Sequence, residues 1–491
     1  MNKDLTQLLE QVNSYNPKAD VALIKRAYLF AKEAHEGQKR FSGEPYFSHP
    51  LATARGLAGL KLDAVTIAAG LLHDVPEDTP LTLEDVEKEF GKELAFLVGG
   101  ITKIGRIKLK GSREEEFLEN LRRLFLVMAK DLRVVFIKLC DRLHNMQTLQ
   151  YVPQHKQKRI ARETLEVYAP LADRLGIGEI KGELEDLAFP YVYPEDYRWV
   201  KKISAPRRED FDKYVPAAKR ALKRALDKEG IEAEIQGRAK HLYSLYRKLL
   251  LKDRDIANIY DLVALRVVVE DVEACYAVLG SIHHHWKPLL GLIKDYIAQP
   301  KPNGYRSLHT TVFGPEGKII EIQVRSREMH EASEYGAAAH WQYARRKKLA
   351  KSEDHLDANG GIPEEKLAWV RRLVSWQQEI ENPEEFKKTL KLDVFAKRIF
   401  VFTPKGDVVD LPAGATPIDF AYEIHSEIGD GCVGAKVGGK MVGLDTKLQN
   451  GDIVEIVVSK KSRGPKRDWL GIAVTAEAKR KIRQGIKRSV K

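Results

Sequence analysis

The stretch AVTIAAGLLHDVPEDT, residues 64–79, decides how the first part of the chain is read. An uncharged apolar run from Ala64 to Leu72 ends in the adjacent pair His73-Asp74. Pro76 stops the helix there, because a helix cannot be extended through it. Upstream, GEPYFSHP brings His49, and downstream IKLCDRLHNMQTL brings Asp141 behind a second apolar segment. Two imidazoles and two carboxylates without a thiolate make a mixed nitrogen and oxygen set, suited to Mn²⁺ or a similar divalent ion that keeps water in open positions. Such an ion lowers the pKa of bound water and so makes a nucleophile for phosphoester hydrolysis. Taken singly, each of these residues is more often ordinary packing. The His-Asp adjacency with two outlying partners favours a metal centre, while spacing alone leaves the two readings level.

Outward from this stretch, the chain of 491 residues is too long for one core and implies about three domains. With 43% hydrophobic and 31% charged residues it reads as globular rather than disordered or fibrous. Three cysteines, Cys140, Cys275 and Cys432, occur without CxxC spacing, which excludes a disulfide framework and a cysteine zinc site and suits a reducing compartment. The opening MNKDLTQLLEQV has no apolar core, so no secretory signal is expected. The run 64–72 is far short of the roughly 18 residues a membrane span needs, so a cytoplasmic protein without a membrane partner is expected. A formal charge of +12 points to an anionic partner. That charge is concentrated: Ser459–Lys491 carries twelve Lys/Arg against two Asp/Glu.

Residues 1–195 show mainly helical periodicity, as in KRAYLFAKEAHEGQ and FLENLRRLFLVMAKDL. From about Glu232, β-rich runs (LVALRVVVE, TTVFG, IIEIQVR) alternate with helical segments, the mark of an α/β or α+β unit. Within it, EIQGRAKHLYSLYRKLLLKDR concentrates cations on and before a helix, which is either a solvated face or a phosphate site. Two carboxylates shift the balance. Asp261 stands at a strand start, and alternation puts Glu321, Gln323 and Arg325 on the face opposite Ile320, Ile322 and Val324. Such carboxylates can hold Mg²⁺ against phosphates, a nucleotidyltransferase-like arrangement. The His283-His284-His285 run reads as packing. Residues 351–365 read as a linker, a helical stretch follows, and RIFVFTPKGDVVDLP opens a small β-rich module.

GQKRFSGEPYFSHP, LLHDVPEDT and IKLCDRLHNMQTL, followed by GRAKHLYSLYRK, IYDLVALRVVV, IKDYIAQPKPNGYRSLHTTV, EIQVRS and EYGAAAHWQYA, resemble in order the hydrolase and synthetase motifs of the RelA/SpoT (Rel) family of the stringent response. RIFVFTPKGDVVDLPAGATPIDFAYEIHSEIG resembles that family's TGS domain. The resemblance implies an all-α HD hydrolase domain over residues 1–195, an α/β nucleotidyltransferase-like synthetase domain over 196–345, linker and helices over 346–392, a β-grasp TGS domain over 393–459 and a basic tail over 460–491. It implies that His49, His73, Asp74 and Asp141 hold Mn²⁺, that Glu77 and Asp78 orient or activate water, that Asn145 lies nearby, and that Arg40 contacts the guanosine alarmone. In the synthetase it implies Mg²⁺ at Asp261 with Glu321 assisting the metal and the attacking hydroxyl, Arg238 and Arg266 flanking adenine, and Lys240, Ser244 and Lys248 on ATP phosphates. Tyr305 would stack on guanine, with Lys301, Asn303 and His309 around the acceptor. His425 corresponds to the position that meets the acceptor end of tRNA.

The implied activities are synthesis of (p)ppGpp from ATP and GTP or GDP, and hydrolysis of (p)ppGpp to GTP or GDP plus pyrophosphate, with ribosome and uncharged tRNA as partners of the full-length protein. Running both at once would cycle ATP to no effect, so opposed conformations are expected. A sensor that binds ribosome and tRNA with weak catalytic sites is the alternative, and the complete ligand sets argue against it. Two departures stand out. Pro76 replaces the commoner valine, tolerable at a helix end, and Leu292-Ile293-Lys294-Asp295 lacks the arginine usual in this segment, leaving the GTP-versus-GDP preference open. The family's longer members continue past TGS, so the chain reads as a truncated or naturally short form. The basic segment beyond TGS is either RNA-facing or a solvated tail.

Overall fold

In the computed structural model the described residues are 3–105, 113–259, 262–301, 303–339, 398–459 and 464–489. They divide into two compact units, one holding residues up to 105 and 123–339, the other 113–122 and 398–489. The expected linker and helices over 346–392, and Asp261, lie outside the described residues.

The first unit begins all-helical. Asp63 caps the helix Ala64–Leu72 by accepting from Thr66 N at 2.9 Å. Every residue of that helix except Val65 is buried. Its apolar sequence therefore has to be packed on all sides, and glycine makes the room. A Cβ on Gly70 would collide with Leu57 of the helix Ser48–Gly59, and one on Gly56 would lie 3.2 Å from Cys140 Sγ of the helix Arg133–Gln147. Three helices thus meet at van der Waals distance, each carrying or leading into one or more of the expected metal ligands. Helix Ala64–Leu72 ends at His73 as the sequence implies, but Pro76 does more than stop it. It sits in the first turn of a new short helix, Val75–Asp78, where its missing N–H costs nothing.

After the helix Gly178–Val192, a long helix, Pro194–Lys228, leads into a five-stranded sheet. Its strands are β1 (Glu234–Ala239), β2 (Val263–Val269), β3 (Lys294–Asp295), β4 (Leu308–Phe313) and β5 (Ile319–Ser326), in the order β1-β2-β5-β4-β3. Only β2 and β5 run parallel, pairing Ala264 with Glu321 and Arg266 with Gln323. The alternation read from the sequence holds. Ile320, Ile322 and Val324 join Leu265, Val267, Leu308 and Val312 in a core with Cys275, Val278 and Ile282 of the helix Val272–His285. Glu321, Gln323 and Arg325 therefore take the other face. His283 packs as expected, its Nε2 2.8 Å from Thr310 Oγ1.

In the second unit, β6 (Arg398–Phe402) and β7 (Val408–Pro412) form a hairpin, and β8 (Cys432–Val437), β9 (Lys440–Val442) and β10 (Val454–Val458) a sheet ordered β10-β8-β9. The helix Pro417–Ile424 starts at a Thr416/Asp419 capping box. The segment read as a basic tail is different from that expectation. Residues Trp469–Ile472 and Ala476–Ser489 are helices, and Trp469, Ala473, Ala478 and Ile482 are buried with Ile418, Tyr422 and Cys432. Asp419 Oδ1 accepts from Thr475 N at 2.7 Å and Val474 N at 2.9 Å, pinning the segment to the module. Charge counting alone hid the apolar stripe Ala478, Ile482, Ile486 at helical spacing.

Gly70→Val is expected to lower stability by about 1–3 kcal/mol through overpacking against Leu57. An unchanged thermal unfolding midpoint would show that the helix contact has slack.

Candidate active sites

The three-helix contact brings the first constellation together. His49 Nε2 lies 3.2 Å from Asp141 Oδ1 and 3.5 Å from Asp74 Oδ2, and His73 Nε2 lies 3.1 Å from Asp74 Oδ1. His49, His73 and Asp141 are buried, and their ligand atoms lie within 4.8 Å of one another. The Nδ1 of His73 meets Gly70 O at 2.8 Å, which fixes the tautomer and leaves buried Nε2 without a hydrogen-bond partner among the described residues. An unpartnered imidazole lone pair beside two carboxylates is what a divalent cation requires. Burial opposes ionisation of Asp141, yet Lys138 Nζ at 2.6 Å, together with His49, holds its carboxyl well below the ordinary range.

Around this cluster the structure adds residues that the sequence did not single out. Tyr46 donates its hydroxyl to Asp78 Oδ2 at 2.6 Å and reaches Asp74 Oδ2 at 3.1 Å, so one hydroxyl spans a metal-site carboxylate and an expected water-activating one. Burial and Asp74 raise that hydroxyl far above its usual range, keeping it a donor. Arg40 is clamped by His144 Nδ1 at 2.9 Å, Asn145 Oδ1 at 3.2 Å and Thr148 Oγ1 at 3.3 Å. Its guanidinium thus reaches the site from a loop more than a hundred positions away in sequence. His144 also stacks on His49, and burial, with His49 and Arg40 nearby, lowers it to about 4, so it stays neutral. Burial raises the Glu77 carboxyl to about 7, against the pull of Lys138 and with Asp74 and Asp78 adding to the rise. A carboxyl so placed can hold or release a proton near neutrality.

The second site is a cavity of about 320 Å³ on the open face of the five-stranded sheet. Arg238, Lys240, Ser244, Lys301, Asn303, Tyr305, His309 and Glu321 line it together. Arg266 is not in its lining. It is buried beside it, its Nη1 3.0 Å from Glu334 Oε1. Lys248, one helical turn past Ser244 in the helix Leu242–Leu250, is likewise outside the lining. His309 bridges two other residues, with Nδ1 2.7 Å from Glu321 Oε1 and Nε2 2.8 Å from Tyr305 hydroxyl. Nδ1–H therefore donates to the carboxylate, and Nε2 accepts from the phenol. Lys301 Nζ sits over both Tyr296 and Tyr305, 4.5 and 4.8 Å from the ring centroids. Beneath Tyr305, Arg325 is fully buried with no hydrogen-bond partner for its guanidinium among the described residues. The carboxylate of Glu334 is 3.7 Å away, and burial lowers the Arg325 pKa to about 10.

In the second unit His425 stands between the helix Pro417–Ile424 and the short helix Ser426–Asp430, with its side chain 62% exposed. Among the described residues no helix is long and apolar enough to cross a membrane.

Comparison with known proteins gives three matched regions. Residues 27–178 match the HD domain, 237–348 the region found in RelA / SpoT proteins, and 399–458 the TGS domain. A GTP pyrophosphokinase of Myxococcus xanthus is 46% identical over 97% of this chain and 62% of its own length. The bifunctional (p)ppGpp synthase/hydrolase RelA of Mycobacterium tuberculosis is 47% identical over 95% of this chain and 63% of its own. The bifunctional (p)ppGpp synthase/hydrolase SpoT of Escherichia coli is 44% identical over 99% of this chain and 67% of its own. The chain spans about three fifths of the length of the first two relatives.

Asp141→Asn should weaken divalent-cation binding by roughly tenfold or more, read by calorimetric titration with Mn²⁺. Equal affinity in the variant would remove Asp141 from the metal set.

Proposed function

The chain belongs to the RelA/SpoT family, and on that premise we propose that it makes and destroys guanosine alarmones at the two sites just described. What supports both halves is their opposite electrostatics. One site is a carboxylate–imidazole cluster that needs a cation, the other a cation-lined cavity that needs a polyphosphate.

In synthesis the 3′-hydroxyl of GTP or GDP attacks the β-phosphorus of Mg·ATP. The new O3′–P bond forms, the bond from that phosphorus to the α–β bridging oxygen breaks, and AMP leaves. Glu321 faces the cavity and accepts the hydroxyl proton, with Asp261 as the second Mg²⁺ carboxylate. His309, held at 2.7 Å, keeps the Glu321 carboxylate in one orientation. Arg238 offers its planar guanidinium to adenine, Lys240 and Ser244 hold ATP phosphates, and Tyr305 stacks on guanine with Lys301 and Asn303 beside the acceptor, whereas Arg266, paired with Glu334, and Lys248 stand outside the lining and reach ATP only if their side chains move. Stacking there requires Lys301 to leave the Tyr305 ring, freeing its ammonium for phosphate.

In hydrolysis water attacks the 3′-phosphorus of (p)ppGpp, the P–O3′ bond breaks, and GTP or GDP leaves with pyrophosphate as the second product. His49, His73, Asp74 and Asp141 would hold Mn²⁺, which supplies water of lowered pKa. Asp78, fixed by Tyr46, orients that water, and Glu77, titrating at about 7, takes its proton and returns one to O3′. Arg40, clamped by His144, Asn145 and Thr148, presents its guanidinium to the guanosine. The two activities belong to opposed conformations, and full rates of both in one preparation would overturn that part.

Asp74→Ala should abolish pyrophosphate release from ppGpp plus Mn²⁺ and leave synthesis intact. Glu321→Gln should cut synthesis from ATP and GDP by about 10²–10⁴-fold and leave hydrolysis intact. Products separated on thin layers read both, and loss of both activities in either folded variant sinks the two-site assignment.

Ribosome and uncharged tRNA are the proposed partners of the second unit, through His425 and the cationic face of the helix Ala476–Ser489, where Arg483, Lys487 and Arg488 are exposed. Deletion of the segment would destroy core packing at Trp469 and Ile482, so charge reversal is the usable test. Arg483→Glu with Lys487→Glu should weaken tRNA binding and flatten its salt slope by roughly 0.7–0.9 per lost phosphate contact. An unaltered slope leaves the helix as a solvated face.

A further inference from the structure

The synthetase cavity is not built from the sheet and its own helices alone. Asp173, Gly176, Gly178, Lys181 and Gly182 line it, and all five precede residue 195, on the hydrolase side of the boundary expected from the sequence. Glycine lets this turn close on the acceptor loop. Gly176 has φ +75°, and a Cβ there would lie 3.3 Å from both Asn303 O and Gly336 Cα. A Cβ on Gly178 would lie 3.2 Å from Ser333 O, and Ala337 N donates to Leu175 O at 2.8 Å. Asn303 Nδ2 reaches Asp173 Oδ1 at 3.4 Å. Gly182 leaves room for the His241 ring, which meets Asp186 at 2.9 Å.

Lys181 leaves the helix Gly178–Val192 on this wall. It pairs with Glu185 at 3.6 Å, which also accepts from Ser244 Oγ at 3.4 Å. Across the cavity stand Lys240, Lys294, Lys301 and Arg238, so five cationic side chains face two lining carboxylates, Asp173 and Glu321, among the described residues. Lys301 feels this crowding. Burial first, and then Lys294 and Lys181, lower its ammonium pKa, with Asp173 and Glu321 pulling the other way. A surplus of confined like charge is relieved by a polyanion rather than by a single phosphate. The start of this wall meets the acceptor loop, with Gly176 and Asp173 at Asn303, while Gly182 and Glu185 further on meet His241 and Ser244, so Lys181 stands between the acceptor loop and the residues assigned to ATP phosphates.

We propose that Lys181 binds the 5′-phosphates of the acceptor guanine nucleotide, so that a helix packed against the one carrying Asp141 completes the site of synthesis. This rests on the synthetase reading above. The helix Gly178–Val192 contacts the helix Arg133–Gln147 directly, so the element that lines this cavity packs on one that carries a ligand of the other site.

The test is Lys181→Gln in the full chain. Removing one ammonium–phosphate contact should raise KM for GDP by about 10- to 100-fold with KM for ATP unchanged, and weaken GDP in calorimetric titration by a similar factor. Lys181→Arg should recover most of both. Hydrolysis of ppGpp by Lys181→Gln at the wild-type rate shows that the fold is intact. Unchanged GDP affinity and KM overturn the proposal, and so does a rise confined to KM for ATP. Absence of synthesis in the wild type would sink the synthetase reading instead, and the GDP titration still decides the contact.

Discussion

Asp74 and Asp141 are held close together around His49 with little access to water, and everything in the helical region follows from making that tolerable. Two carboxylates in a low-dielectric pocket repel each other and lose hydration, a cost that only positive charge and hydrogen bonds offset. Lys138 supplies part of it at 2.6 Å from Asp141, and Tyr46 donates toward Asp74. What remains uncompensated is the orphaned Nε2 of His73, an atom that a cation would take together with His49 and Asp141. The geometry depends on Gly56 and Gly70, because side chains there would push apart the helices that carry the ligands.

The cavity on the sheet poses the inverse problem. Lys181, Lys240, Lys294, Lys301 and Arg238 converge where a phosphate chain would lie, and the protein limits their repulsion by parking Lys301 over aromatic rings and pairing Lys181 loosely with Glu185. Arg325 carries the same strain to an extreme, fully buried under Tyr305 with a distant carboxylate, that of Glu334. A site of this kind is built for a ligand that brings its own negative charge.

Much of this was legible in the sequence because its signals are local. The His73-Asp74 pair at the end of an apolar run, and the strict alternation of IIEIQVR, are readable without knowing what packs against them. Tyr46, His144 and Lys181 were not, for a shared reason. Each acts through a partner 28 to 104 positions away or across a cavity wall, and each belongs to a residue type common in ordinary helices and loops. A boundary drawn at residue 195 conceals the second role of 173–182 for the same reason. The glycines Gly176 and Gly178 mark a turn between two helices here, but nothing local says that the turn lines a cavity of the sheet. Tail and helix were confused because twelve cations outweigh an apolar stripe of three residues in any composition count.

The net charge of +12 illustrates why such counts mislead about chemistry. Residues 459–491 contribute +10 of it, and half of that charge rides on the ordered helix Ala476–Ser489, whose approach Asp419 anchors. Residues 1–458 are nearly neutral, yet they hold both a cavity with five cationic walls and a cluster with two buried carboxylates. Local fields of opposite sign have cancelled in the sum. Since interactions between exposed charges are screened beyond about 8 Å in physiological salt, each ligand responds to its own site and not to the total. A phosphate chain entering the cavity and a cation entering the cluster therefore answer separate demands, although the helix Gly178–Val192, whose first turn lines the cavity, packs against the helix that carries Asp141.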